Sequence, residues 1–511
     1  MVKVTMAHKL PPEPNIEIRC RQYTATESSL ARADAAIFIL EKSRCSELLA
    51  TLPHPGLWRA LYRAAIEASA SPILTARLPN SRHTLVTVGF SAPLTSAFER
   101  LELAGKLARE VAQPGASILR QHAIGFDDAA ALDWQEAIAS AVLARAAPMP
   151  QRKSRPDPGS ALRRLEIGAP DSFPVAEVQA VASGNYLARW LATMPPNELD
   201  CLAYRESLQR LAAQEGWQFR FYDEPSLERL GAGAFLAVSR ANAHRGAGIV
   251  RLSYRPKKSR RAPKLALVGK GICFDTGGIN LKPHKSMYRM HGDMQGSSVA
   301  VGTMLALSRT SAPYSIDCWL ALTENEIGPL AYRPQEVVTA SNGVTIQVVH
   351  SDAEGRMVLA DTLALASGSK PSFILDFATL TGTCVTALTE RYSGAFTNRP
   401  ALQNRLQDTG RSSGERVWCF PMDEDFDREL DSPIADILQC TVNGNGDHIL
   451  AARFLNRFVP AEIPWVHVDL SAAERKGGLA NIPSDMTGFG VRFAHRLLAD
   501  GKLLDKLQEP S

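Results

Sequence analysis

The sequence predicts an α/β protein of two domains, each with a sheet covered by helices, and three observations carry that prediction. The chain has 511 residues, whereas single cores stop growing at roughly 250 to 300. Short apolar runs alternate with helix-like stretches along its whole length. One break interrupts this rhythm, at 147–160, "APMPQRKSRPDPGS", where four prolines, mixed charge and no periodicity mark a linker or exposed loop.

The first domain, with its linker, is expected over 1–160. Its strand-like runs are "AAIFIL" and "TLVTVGF", and its helices are "SAFERLELAGKLAREVAQ" and "ALDWQEAIASAVLARA". The second, over 161–511, opens with the helical "EVQAVASGNYLARWLATM". It continues through strand-like "KLALVG", "DCWLALT", "TIQVV", "FILDFATL" and "WVHVDL". Strands interleaved with helices imply a mixed, largely parallel sheet flanked on both faces. In such sheets ligands bind beyond the carboxyl ends of the strands.

Composition excludes several classes. The chain is 45% apolar and 22% charged with net charge +4, no excess that points to nucleic acid or membrane. No apolar run reaches the ~20 residues that span a bilayer, and the N-terminus has Pro and Glu where a signal peptide needs a continuous apolar stretch. The cytoplasm is the expected compartment. Eight cysteines without a CxxC pair fit neither a disulfide framework nor a structural zinc site.

Chemistry concentrates after three strands, and all three strand ends should converge on one sheet edge. "KLALVG" leads into "KGICFDTGGINLKP", "TIQVV" into "HSDAEGRM", and "FILDFATL" into "TGT". If "HSDAEGR" stays extended, its period of two places Asp352 and Glu354 on one side. Two carboxylates held together repel unless a proton or cation lies between them. A solvated acidic loop near the positive end of a helix dipole explains that octapeptide alone equally well.

Asp275 and Asp293, the latter in "MHGDMQGSS" ahead of the helical "SVAVGTMLALS", raise the count to four carboxylates, more than one divalent ion needs. A two-metal site is the economical explanation. Oxygen donors without Cys favour Zn, Mn, Mg or Co over a structural zinc. Lys270 and Lys282 could neutralise the cluster, ligate a metal once deprotonated, or stabilise an oxyanion.

"VGKGICFDTGGINLKP", "SNGVTIQVVHSDAEGRMVLAD" and "DFATLTGTCVTAL" closely resemble the signature blocks of the leucyl aminopeptidases, the cytosol aminopeptidase family of two-metal exopeptidases. The likeness covers roughly 180–500. It implies an aminopeptidase that removes Leu-like N-terminal residues from short peptides, with two divalent ions per subunit, Zn or Mn foremost. By this resemblance Asp275 and Glu354 bridge both metals, Lys270 and Asp293 complete the tighter site, and Asp352 completes the more exchangeable one.

The resemblance further implies that Lys282 binds the scissile carbonyl oxygen and stabilises the gem-diolate, and that Arg356 holds a bicarbonate acting as general base. Met290, Thr379, Leu380 and Gly382 match positions that line the pocket for the first side chain. The substrate's α-amine would complete one metal's coordination, and the family's assembly implies a homohexamer. Departures from the pattern are His350 and Ser351 in place of Asn and Thr, His291 in place of Lys, "GSS" at 296–298, and the irregular "NGNGDHILAARFL" where the family has a glycine-rich run.

The alternative is a bifunctional or DNA-binding regulatory homologue. Its one support is the basic run "RPKKSRRAPK" (255–264), for which a solvated loop is the preferred reading although it could add a salt-sensitive phosphate contact. A dead homologue would have lost one of the seven central residues, and none is lost.

Overall fold

The computed structural model describes residues 10–21, 24–67, 73–92, 94–113, 115–256 and 263–507. Contacts divide the chain into one unit of residues 12–182 with 476–485, and a second of 1–11, 183–475 and 486–511.

The smaller unit holds six strands: β1 (Glu17–Cys20), β2 (Ala35–Glu41), β3 (Leu74–Arg77), β4 (Leu85–Ser91), β5 (Ile118–Ile124) and β6 (Arg164–Ile167), in the order β1-β6-β5-β2-β4-β3. All pairs are parallel except β3 with β4. The run "AAIFIL" is apolar throughout because both faces of β2 are covered. Ile37 and Ile39 pack with Trp134 and Ile138, while Phe38 and Leu40 pack with Trp58 and Leu49 on the other side. The helix Ala97–Val111 starts at a capping box between Ser96 and Glu99.

This unit runs past the expected boundary at 160. The segment 147–160 has no regular structure, but the chain then returns to add β6 between β1 and β5, so the unit ends only at Ala182, inside the helix Val175–Thr193. Backbone pairing, which composition does not display, sets the limit.

The larger unit contains β7 (Gln218–Asp223), β8 (Gly248–Tyr254), β9 (Lys264–Asp275), β10 (Ser315–Asn325), β11 (Val337–Thr339), β12 (Thr345–Gln347), β13 (Phe373–Ala378), β14 (Ser393–Thr397), β15 (Val417–Cys419), β16 (Ile437–Leu438) and β17 (Trp465–Asp469). Eight form one sheet, β15-β14-β17-β13-β9-β10-β8-β7. Its centre, β17-β13-β9-β10, is parallel, while β8 pairs antiparallel with β10 and with β7, and β14 with β17. The mixed, largely parallel expectation therefore holds.

One strand falls elsewhere. "TIQVV" yields β12, which joins β11 and β16 in a separate three-stranded sheet. The three chemical segments thus do not follow neighbouring strands of one sheet as expected. The basic run 255–264 is described only at its ends, since 257–262 lie outside the described residues. Among the described residues no helix is long and apolar enough to cross a membrane.

Two helices clamp β9 from opposite sides. Ala266, Val268 and Ile272 share a core with Met357, Val358 and Leu363 of the helix Glu354–Ser367. On the alternate face, a Cβ at Gly269 would lie 2.5 Å from Ser297 Cα, and one at Gly296 would lie 2.2 Å from Phe377 O. Glycine at these positions lets the helix Gln295–Arg309 sit directly on the strand.

Behind this layer the partly buried Glu415 accepts the N–H groups of Gly490 and Phe493 at 2.9 and 2.7 Å, capping the helix Val491–Leu498, whose own cap residue has no side chain. Burial pushes its pKa up to about 7, against these N–H donors and the charge and N–H of Arg492. Between about pH 4.5 and 7 the folded chain keeps a proton that the unfolded chain has released. Stability falls as pH rises through that window, by up to about 3 kcal/mol. Glu415→Gln keeps an acceptor and removes the titration, so its urea midpoint should drop less than the parent's between pH 5 and 8; parallel curves would contradict this account.

Candidate metal centre

Lys270 and Asp275 are part of β9 itself, five residues apart on its carboxyl-terminal half. The chain then turns through Gly277 and Gly278, both at positive φ (87° and 63°), where a side chain would be strained. That turn brings Lys282 back, its Nζ 2.9 Å from Asp275 Oδ2. Asp293 lies in the 3-10 turn Met290–Met294 that leads into the helix Gln295–Arg309.

Glu354 is the first residue of the helix Glu354–Ser367, and Asp352 sits in the turn before it. The extended, period-two arrangement expected for Asp352 and Glu354 is therefore not what forms. Helix geometry aims Glu354 inward, and the Asp352 turn is held separately. Its support is Ser351, whose hydroxyl donates to Gly277 O at 2.6 Å and accepts from Asn280 N at 2.8 Å. The Ser351 carbonyl accepts from Asn325 Nδ2 and the Tyr332 hydroxyl.

The structure brings together Lys270, Asp275, Lys282, Asp293, Asp352 and Glu354. Lys270 Nζ lies 2.9 Å from both Asp293 Oδ1 and Glu354 Oε1, and donates to the Thr379 carbonyl at 2.8 Å. Lys282 Nζ lies 2.6 Å from Asp352 Oδ1. Asp275 Oδ1 accepts from Gly277 N and Asn325 Nδ2 at 2.8 and 2.9 Å.

Four carboxylates thus face two ammonium groups, a deficit of two positive charges in a buried space. Burial first, and then the neighbouring carboxylates, push Asp293 and Glu354 up to about 7 and Asp352 up to about 6. Burial pulls Lys270 down, but Asp293, Glu354 and Asp275 together hold its ammonium well above the ordinary lysine range.

Divalent cations fit this set. Asp275, Asp293 and Glu354 offer oxygens all within 4.8 Å of one another. Asp293 Oδ2 and Glu354 Oε2 are buried without a hydrogen-bond partner, a costly state that a cation would relieve. A second group, Cys201, Cys273 and Glu324, fits less well. Glu324 already accepts from Cys201 N and Asn242 Nδ2, and burial pushes the Cys201 thiol well up.

Arg356 is buried, and its Nη2 donates to both carboxylate oxygens of Asp447 at 2.8 Å, with Nη1 on the Gln439 carbonyl at 3.1 Å. The chain's own carboxylate therefore already pairs with the guanidinium to which the resemblance assigns bicarbonate.

The residues matched to the substrate pocket spread over two segments. Met290 opens the turn that carries Asp293. Thr379 uses its polar atoms within the cluster, its hydroxyl donating to Asp293 Oδ1 at 2.7 Å. Leu380 packs on the apolar core and its N–H is held by Asp469. Gly382 is exposed, with no atom within 4 Å of a Cβ placed there.

Several functional positions escaped the sequence reading. Asn325 ends a strand whose pattern signals only burial, and Asp469 acts through backbone N–H groups. Asp447 lies in "NGNGDHIL", where a lone acidic residue among glycines and asparagines reads as turn. His350, unassigned from sequence, accepts the Asp352 N–H at Nδ1, 3.2 Å away. Burial and Lys282 keep its imidazole below the usual histidine range.

Comparison with known proteins agrees with this architecture. The chain is 40% identical over 337 residues to a probable cytosol aminopeptidase of Rhodopseudomonas palustris, a match spanning 65% of this chain and 64% of that protein, less than two thirds of the relative's length. A tomato leucine aminopeptidase mutant superposes with TM-score 0.84 at 26% identity, covering 96% of this chain and 98% of that one. The bottromycin maturation enzyme BotP, solved in complex with Mn, superposes with TM-score 0.80 at 29% identity, covering 92% and 100%. With the catalytic-domain model of the cytosol aminopeptidase family matching residues 186–494, the chain belongs to that family.

Proposed function

We propose that the chain is a metal-dependent aminopeptidase that releases N-terminal residues from short peptides, with Leu-like residues preferred. The observation that carries this reading is the buried cluster of four carboxylates short of two positive charges, in a chain of this family. Asp275 and Glu354 would be shared by two divalent ions, with Lys270 and Asp293 completing one site and Asp352 the other. Zn and Mn suit the oxygen and nitrogen donors. Bound there, the ions supply Lewis-acid polarisation and lower the pKa of water.

The chain's own groups do the rest. Lys282, with 13% of its side chain exposed against 4% for Lys270, is the ammonium open to substrate. It would donate to the scissile carbonyl oxygen as negative charge develops there. Lys270 must shed its proton to serve as a ligand, which a neighbouring dication favours. Met290 and Gly382 would border the first side chain, and Thr379 and Leu380 its backbone. The assembly consistent with this family reading is a homohexamer in the cytoplasm.

Chelated protein should release no leucine from leucyl amide, and Zn, Mn or Mg should restore release to different extents. N-acetylleucyl amide should stay intact, because its blocked amine cannot anchor. Leucine release from thoroughly chelated protein would refute the proposal.

A further inference from the structure

We propose that Asp447 is the general base of the hydrolysis, so that the chain carries in its own sequence the anion that its family resemblance assigns to bicarbonate. This inference rests on the peptidase reading and deepens it.

Arg356 is a fully buried cation in the first turn of the helix that Glu354 opens. Such a charge costs several kcal/mol unless paired, and the carboxylate of Asp447 supplies the pair through Nη2. With that carboxylate in place, no uncompensated positive charge remains on Arg356 to hold a free anion.

Asp447 is also fixed from its other side. It begins the helix Asp447–Asn456 directly after Gly446, at φ 63°. The next residue, His448, places both its N–H and its Nδ1 on the Thr383 hydroxyl, at 3.0 and 3.2 Å. The residue after Asp447 is thus tied to the segment 379–383, whose Thr379 touches both Lys270 and Asp293.

Three further facts orient it. Gln439, whose carbonyl holds Arg356, also binds the N–H groups of Val349 and His350 and the Ala353 carbonyl, so the ion pair underlies the loop that bears Asp352. His350, whose N–H donates to the Gln439 side chain and whose Nδ1 accepts the Asp352 N–H at 3.2 Å, joins that loop to the support of the pair. Finally, Asp447 keeps 21% of its side chain exposed while its partner keeps 2%. Its carboxylate is the end of the pair open to a reactant.

In the step that follows, an Asp447 oxygen accepts a proton from water as the water oxygen bonds to the scissile carbonyl carbon, and Lys282 holds the resulting oxyanion. The proton then passes from Asp447 to the amide nitrogen as the C–N bond breaks. A free amino acid and a shortened peptide amine leave, and Asp447 is again ionised.

The test uses full-length protein loaded with Mn, its Asp447→Ala and Asp447→Asn variants, leucyl amide, and bicarbonate or formate added to carbon-dioxide-depleted buffer. The parent rate should not respond to either anion. Asp447→Ala should lose about 10² to 10⁴-fold in rate and regain much of it with bicarbonate or formate. Asp447→Asn, whose amide fills the same space, should be equally slow and not rescued.

A reading independent of turnover is the melting temperature of chelated protein, which bicarbonate should raise for Asp447→Ala and leave unchanged for the parent. A parent stimulated by bicarbonate, an Asp447→Asn variant at parental rate, or an Asp447→Ala variant with neither rescue nor a bicarbonate-dependent melting shift would overturn the inference. A parent that releases no leucine with any metal defeats the peptidase reading instead, and the melting comparison still decides whether Asp447 fills the anion position.

Discussion

Glu354→Ala should abolish leucine release while the protein remains folded. The carboxylate is 1% exposed, with one oxygen 2.9 Å from Lys270 Nζ and the other buried without a partner. Removing it changes the cluster from four carboxylates against two ammonium groups to three against two. The net charge of the cluster then falls from −2 to −1, which weakens cation binding, and the site loses the residue assigned to bridging. Two-metal activation contributes several kcal/mol to the transition state, so the rate should fall about 10³-fold or more.

The metal-free fold should suffer little. Glu354 is crowded by other carboxylates and raised toward neutrality even in the parent, so its removal also relieves repulsion. Calorimetry should show a chelated variant melting close to the chelated parent, but with a smaller rise than the parent's on adding metal. Parental activity in Glu354→Ala would remove this residue from the centre.

Gly355→Ala should disturb the centre through Lys270. In a helix interior the change favours folding by up to ~1 kcal/mol. Here, however, a Cβ would lie 2.6 Å from Lys270 Cε and 2.7 Å from its Nζ. Lys270 is buried and held by Asp293, Glu354 and the Thr379 carbonyl, so it cannot yield without leaving them. A displacement near 1 Å at a reacting centre can cost about 10²-fold. Activity should therefore fall by at least that factor, and the melting temperature of the chelated protein should also fall, because the displaced ammonium leaves buried carboxylates unpaired. A variant as active as the parent would show that Lys270 need not occupy this position.

The same glycine illustrates how far the sequence could be read. "HSDAEGRM" announced carboxylates near a helix, and with "KGICFDTGG" and "MHGD" it pointed to the residues that cluster. Those signals are local and chemical, so they survive without coordinates. What Gly355 makes room for was not legible: it clears the Lys270 side chain, 85 positions earlier in the chain.

Misplaced elements have the same cause. "TIQVV" has the apolar pattern of a core strand, and pattern reports burial but not partner, so its departure to the three-stranded sheet with β11 and β16 was invisible. β6 joins the smaller unit's sheet through backbone hydrogen bonds that no side chain advertises. Asp447 shows the limit most clearly. As one acid in "NGNGDHIL" it was unremarked, and only its pairing with Arg356, 91 residues away, gives it a chemical task.

The central claim is that this cluster is completed by two divalent ions. Its most direct test is a titration of chelated, full-length protein with Mn, counting bound ions per chain while following leucine release from leucyl amide. The account predicts saturation at two ions per chain in the parent and at fewer than two in Glu354→Ala, with full turnover only when both are bound. Full turnover with no bound metal, or saturation without binding to this cluster, would contradict it.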